Sequence, residues 1–228
     1  MTFLPAARWA LALAPLLLVA PAVQAEDNDD AQVWTSYRAS GQIKGDLAGA
    51  FDVNVRFTDT ASLLGHFQVR GALGWRIRPG FIVGAGYTYV RTESTSGRVA
   101  NEHRTFQQAT YPLFRFDGGA VTGRTRLEQR TLEERDGTAW RLRQQVRVTV
   151  PLRGPKGLRA VVHSEAFFLL NQPVGGTETG LNQVRTFAGL GIPLFGKTAM
   201  ETGYLNQAIF PGEDRYIHVL SLGVSTSF

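Results

Sequence analysis

From about Val33 to the carboxyl terminus, apolar and polar positions alternate with a period of two almost everywhere. The last segment shows this most plainly. Tyr216, His218, Leu220, Leu222, Val224, Thr226 and Phe228 share one face, and Ile217, Val219, Ser221, Gly223, Ser225 and Ser227 share the other. A β-strand sends successive side chains to opposite faces, so this pattern predicts a strand with one large, mostly apolar face. The next example adds charge: Trp140, Leu142, Val146, Val148, Val150 and Leu152 alternate with Arg141, Arg143, Gln145, Arg147 and Thr149. No amphipathic 3.6-residue period persists over four turns. Eleven strands are predicted, at 33–43, 47–58, 65–77, 81–92, 103–116, 120–132, 139–152, 158–170, 183–195, 198–208 and 216–228.

The connections alternate in length. Lys44-Gly45-Asp46, Arg78-Pro79-Gly80, Asp117-Gly118-Gly119, Arg153 to Gly157 and Gly196-Lys197 are short. Asp59 to Leu64, Glu93 to Glu102, Glu133 to Thr138, Asn171 to Asn182 and Ile209 to Arg215 are longer and more polar. Short turns at one end, long loops at the other and strands of about ten residues are the layout of an antiparallel, up-and-down transmembrane β-barrel. A soluble sandwich of ordinary strands, roughly 5–6 residues each, has no reason to alternate in this way.

The aromatics give a second signal. Trp75, Phe81, Phe114, Phe116, Phe195 and Phe228 fall near short-turn ends; Phe57, Tyr87, Tyr89, Trp140, Phe168 and Tyr216 fall near long-loop ends. Two belts are expected where amphipathic rings meet the two lipid–water boundaries. Phe228, with Leu220, Leu222 and Val224 on its face, reads as the assembly signal of a terminal strand recognised by the barrel assembly machinery. The count is the discordant feature. Bacterial barrels have an even number of strands, so the expectation is ten strands with the first segment entering the lumen, or twelve with one overlooked.

The chain has 228 residues, no cysteine and four histidines. A thiolate nucleophile, a disulfide framework and a cysteine zinc site are excluded. The histidines (His66, His103, His163 and His218) show no metal-ligand spacing. Arg8 precedes an apolar run from Trp9 to Val23, and Val23-Gln24-Ala25 supplies small residues for cleavage, so residues 1–25 read as a secretory signal peptide and 26–228 as the barrel domain. Without the leader one of the 24 basic residues is lost and the formal charge is +4. Export and the dispersal of the basic residues argue against a nucleic-acid partner. The expected location is the outer membrane of a Gram-negative bacterium, with outer-membrane lipid as the surrounding partner.

Alternation assigns Arg56, Arg70, Arg76, Arg124, Arg126, Arg130, Arg141, Arg143, Arg147, Arg159 and Arg185 to the lumen, against Asp52, Glu128, Glu165 and Glu201. The hairpin around Arg135 is expected to set Glu128 across from Arg143 and Arg124 across from Arg147, with His163 and Glu165 inward on the next strand. Seven of these arginines have no assigned acid partner. Arg outnumbers Lys 21 to 3, and a planar guanidinium suits carboxylate or phosphate. Two readings stay open: an interior for a small anionic solute, and mutually paired side chains filling a narrow barrel. No catalytic set emerges. His163 and Ser164 are adjacent and point oppositely, His218 and Ser221 are also opposed, and no cofactor is expected. Gly84-Ala85-Gly86 and Gly189-Leu190-Gly191 lie within strands and read as small lumen-facing residues rather than phosphate loops.

Glu201-Thr202-Gly203-Tyr204-Leu205-Asn206-Gln207 and His218-Val219-Leu220-Ser221-Leu222, with Trp34-Thr35 and Glu102-His103-Arg104, resemble a bacterial family catalogued as domain of unknown function 2490. The resemblance covers most of residues 33–228. It implies an exported outer-membrane barrel and transfers no catalytic residue. The reading is a porin-like or structural barrel with an interior favouring small anions; the alternatives are an outer-leaflet lipid-modifying enzyme and a platform whose long loops bind a partner.

Overall fold

The computed structural model describes residues 30–154, 157–172, 178–210 and 215–228. The predicted leader lies outside the described residues. Among these residues there is no helix. The chain forms β1 (Asp30–Lys44), β2 (Leu47–Thr58), β3 (Leu63–Arg78), β4 (Phe81–Glu93), β5 (Val99–Phe116), β6 (Gly119–Leu132), β7 (Ala139–Pro151), β8 (Arg159–Leu169), β9 (Gly180–Pro193), β10 (Thr198–Ile209) and β11 (Arg215–Ser227).

Each strand pairs with its sequence neighbours and β1 pairs with β11, so the sheet closes on itself. The ten consecutive pairs are antiparallel, whereas β1 and β11 are parallel, with Trp34 opposite Ser221 and Ser40 opposite Ser227. This resolves the count without an arm or a twelfth strand. In an up-and-down barrel with an odd number of strands the first and last run the same way, so closure has to be parallel. Both β1 and β11 run from the long-loop end to the short-turn end.

The seam between them is closed at the short-turn end by Phe228. Its N–H donates to the Ser40 carbonyl at 3.2 Å. A methyl group at Gly41 would collide with the Phe228 carbonyl and ring, so the bare backbone of Gly41 is what lets the terminal residue lie across β1. The short turns each carry a glycine with positive φ, namely Gly45, Gly80, Gly118, Gly154 and Gly196, a region costly for any residue with a Cβ. The β2–β3 loop breaks that rule: Asp59, Thr60 and Ala61 all have positive φ. The Asp30 carboxylate offsets part of this strain by accepting the Thr60 N–H at 3.0 Å.

The outer face carries the large apolar side chains. Trp75, Phe114, Phe116, Phe195 and Phe228 are exposed near the short turns, and Phe57, Tyr87 and Trp140 near the long loops. One outer sector differs. On β5–β7, Thr105 donates to Gln129 at 2.9 Å, Gln129 and Gln107 exchange amide bonds, and Tyr111, Thr125 and Gln144 form a second cluster. The inner face is divided too. Val161, Phe187, Leu205, Ile217 and Val219 pack with Trp34 along β8–β11 and β1, and charged residues fill the opposite side. Gly86 makes room for the inward Phe106 ring.

Candidate functional site

The interior arginines are ordered by carboxylates that each receive more than one donor. Glu128, 2% exposed, accepts from Arg141 Nε at 2.9 Å, Arg143 Nη1 at 2.7 Å and Arg126 Nη1 at 3.5 Å. Glu165, also buried, is gripped by both Arg143 Nε and Nη2 at 2.9 and 2.8 Å and receives Arg124 Nη2 at 2.7 Å. Arg143 thus bridges the two buried acids. Asp52 takes the fork of Arg70 at 2.7 and 2.9 Å. Glu102 binds Arg104 at 2.6 Å and the fork of Arg130, and Glu201 binds the fork of Arg147. Taking such charges out of water is expensive, and these multiple charge-assisted bonds are what offset it. Aromatic faces complete the shell: Arg126 lies 4.3 Å from the Phe106 centroid and Arg143 lies 4.5 Å from that of Phe167.

Several expectations need correction. Glu128 lies opposite Arg141 rather than Arg143, and Arg124 lies opposite Gln145 rather than Arg147. The hairpin closes two residues earlier on the summed register. A shift of two preserves the faces, so Arg143 still reaches Glu128 diagonally. His163 and Glu165 do face Arg147 and Gln145 across β7–β8. The interior is also better paired than expected, because Glu102 joins it. β5 begins at Val99, having paired with β4 from Glu93 onward, and this places Glu102 and Arg104 on the inner face. Arg38 was missed as well and lines the interior from β1. The alternation of Ser36, Arg38 and Ser40 carried that signal. Arg159 sits at the short-turn end opposite Gly191, and Arg185 donates to Gln207 Oε1 at 2.9 Å; neither has a carboxylate partner among the described residues. On the outer face, Leu220 and Leu222 are exposed and Val224 is half-buried.

Two cavities run through this network. The larger, about 640 Å³, occupies the short-turn half and is lined by Arg38, Arg70, Arg76, Arg124, Arg126 and Arg147, with Asp52 the one acid in its wall. The second, about 360 Å³, shares Arg38, Asp52, Arg70, Arg124 and Arg147 with it and extends to Trp34, Arg56, His66 and Arg185. Above them Gln32, Val90, Glu102, Leu169, Gln183, Gln207 and Ile217 are all buried, so side chains fill the long-loop end of the interior.

Hydrolytic chemistry finds little support in these positions. Ser164 bonds Thr186 on the outside at 3.2 Å, while His163 stacks on Phe187 inside with centroids 4.9 Å apart. His103, on the outer face, has both ring nitrogens engaged, by the Tyr87 hydroxyl at 2.5 Å and Glu133 at 3.0 Å. The bond from His103, with one donated by Asn101, holds the Glu133 carboxyl below its ordinary range. No three His, Asp or Glu side chains group as a metal site would require among the described residues.

Comparison with known proteins places the chain in a family and leaves its chemistry open. An uncharacterized protein of Methylorubrum extorquens is 36% identical over 202 residues, which cover 86% of this chain and 87% of the relative. Residues 31–217 match the family described as proteins of unknown function, DUF2490. The match spans nine complete strands, all of β1 but Asp30, and the start of β11, and the chain is therefore a member of the DUF2490 family.

Proposed function

We propose that this chain is an exported outer-membrane barrel whose interior takes up small anions through the short-turn end. The observation that carries the reading is the 640 Å³ cavity, walled by six arginines and a single acid; Arg70, Arg124, Arg126 and Arg147 are held by carboxylates, and Arg38 and Arg76 have none among the described residues. Like charges inside low-dielectric walls focus the field and concentrate counter-ions, and rings of Arg favour anions or phosphate. The filled long-loop end favours a blind cavity over an open pore. Strands of 11 to 18 residues, an apolar outer face and aromatics at both ends support placement in a membrane. Assembly through the terminal strand, with Leu220, Leu222, Val224 and Phe228 outward, belongs to the same proposal.

The test is equilibrium dialysis of the folded barrel, in detergent micelles, against labelled sulfate at low ionic strength. Uptake should be saturable and should weaken as salt rises. Its capacity should fall when Arg38, Arg124 and Arg147 are replaced together by Gln. Wild-type barrel that takes up no sulfate refutes the reading. Steady anion-selective current across a planar bilayer would replace the blind cavity with a pore.

A further inference from the structure

The long-loop half of the interior holds a second, distinct arrangement. Arg56 and Arg185 enter it from β2 and β9, and neither has a carboxylate partner among the described residues. Both guanidinium groups rest near one indole: Arg56 lies 3.8 Å and Arg185 lies 5.0 Å from the Trp34 ring centroid. That ring is itself fixed, because Trp34 Nε1 donates to Gln32 Oε1 at 2.7 Å. A π-face attracts a cation without neutralising it, so two positive charges are held in place and left uncompensated. The charges acting most strongly on Arg56 are Arg104, Arg143 and Arg141, all of like sign. Glu165 attracts Arg185 from a distance but is already occupied by Arg124 and Arg143.

A third group points to what is missing. His66 stands directly opposite Arg56 in the β2–β3 register. It is 9% exposed, and its Nε2 has no hydrogen-bond partner, nor has Nε of Arg104. Buried polar atoms of this kind are seldom left unpaired. The 360 Å³ cavity touches Trp34, Arg56, His66, Arg104 and Arg185 together. At roughly 30 Å³ per water it is roomy enough for a compact anion and its hydration.

Resting on the reading that the interior admits anions, we infer that Arg56, Arg185 and His66 form a binding site for a phosphate group, as inorganic phosphate or a phosphate monoester. The charge balance selects the class. Two uncompensated guanidinium groups call for a compact dianion, and a phosphate monoester carries about −1.5 to −2 near neutral pH with several acceptor oxygens on one centre; unlike sulfate, hydrogen phosphate also keeps an O–H that the unpartnered His66 Nε2 can accept. A halide would leave one charge unmatched. A dicarboxylate carries its two charges on separate centres, whereas these donors border a single cavity.

The probe is inorganic phosphate, titrated into the folded barrel of residues 26–228 in micelles and followed by calorimetry and by Trp34 emission with Trp75 and Trp140 replaced by Phe. Saturable binding is expected. Arg56→Gln and Arg185→Gln should each weaken it about tenfold, the loss of one charge-assisted hydrogen bond. Arg56→Lys, which keeps the charge and loses the fork, should fall between and guards against a folding defect. Arg159→Gln removes the same charge outside both cavities and should leave the affinity unchanged. Equal weakening by Arg159→Gln, or tighter binding of succinate than of phosphate, overturns the assignment. Phosphate uptake insensitive to Arg56 and Arg185 but lost with Arg38, Arg124 and Arg147 refutes this site while the anion-accepting interior stands. A barrel that takes up neither phosphate nor sulfate fails at the earlier step.

Discussion

Replacing Glu128 by Gln is the sharpest probe of how the interior is held together. Gln keeps the shape of the side chain and removes the charge to which three guanidinium groups point. Arg143 retains Glu165, but Arg141 and Arg126 lose the one carboxylate each contacts, and the site is almost sealed, with Glu128 2% exposed. Breaking a buried pair from one side leaves uncompensated charge and costs about 3–5 kcal/mol. The comparison is Glu201→Gln. That carboxylate has one partner, Arg147, and both side chains keep about a third of their surface; a screened pair of this kind is worth about 0–1 kcal/mol. Urea unfolding of the two variants in micelles, read by tryptophan emission and by heat-modifiable mobility, should separate them by about 2–5 kcal/mol. Equal costs, or a Glu128→Gln barrel within about 1 kcal/mol of the parent, would mean that water reaches Glu128 freely and that the ion-pair network is not what orders the interior.

Three further outcomes are expected. Val146 is exposed on the outer face near the middle of β7; with that face against lipid, as proposed, Val146→Arg should destabilise the barrel in bilayers by about 2–4 kcal/mol, while Arg147→Gln on the inner face should be much milder, and equal effects would contradict the proposal. Deleting Phe228 removes the bond to Ser40 and the contact over Gly41, and fractionation should then show less heat-modifiable barrel in the outer membrane and more periplasmic degradation. Gln107 and Gln129 exchange amide bonds on the outer wall and Thr105 donates to Gln129, so joint replacement of the two Gln by Leu with Thr105→Val should leave stability nearly unchanged or raised, and a loss above about 2 kcal/mol by urea unfolding would show that the patch has a further partner.

The strand pattern was legible because a period of two is imposed by the backbone and repeats along the whole chain. It gave the two faces, and the inner position of Glu165 and His163, without any tertiary information. Register was not legible to the residue. Glu128 opposite Arg141 rather than Arg143 is a slip of two, which leaves both faces unchanged and so leaves no trace in the alternation. Glu102 was hidden because Ala100-Asn101-Glu102 looks like a polar loop. Only pairing of Val99 with Glu93 makes it strand. The parallel seam was invisible for a different reason: closure joins residues nearly 190 positions apart, such as Trp34 and Ser221, and no local pattern records it. The grouping of Arg56, Arg185, His66 and Trp34 about one cavity arises from β1, β2, β3 and β9 and is equally non-local. The outer polar sector on β5–β7 shows locally only at Gln144, which stands between Leu142 and Val146 on the outer face of β7 and interrupts its apolar run.

The most direct test is collisional quenching of Trp34, on the inner face, in a folded barrel of residues 26–228 with Trp75 and Trp140 replaced by Phe. Trp34 lines the cavity that the arginines surround. Iodide and caesium, titrated separately at matched ionic strength, report which sign of ion the interior admits. Iodide is expected to quench Trp34 strongly and caesium scarcely at all, and added salt to narrow the gap as the field is screened. Caesium quenching equal to or stronger than that of iodide would contradict an anion-accepting interior.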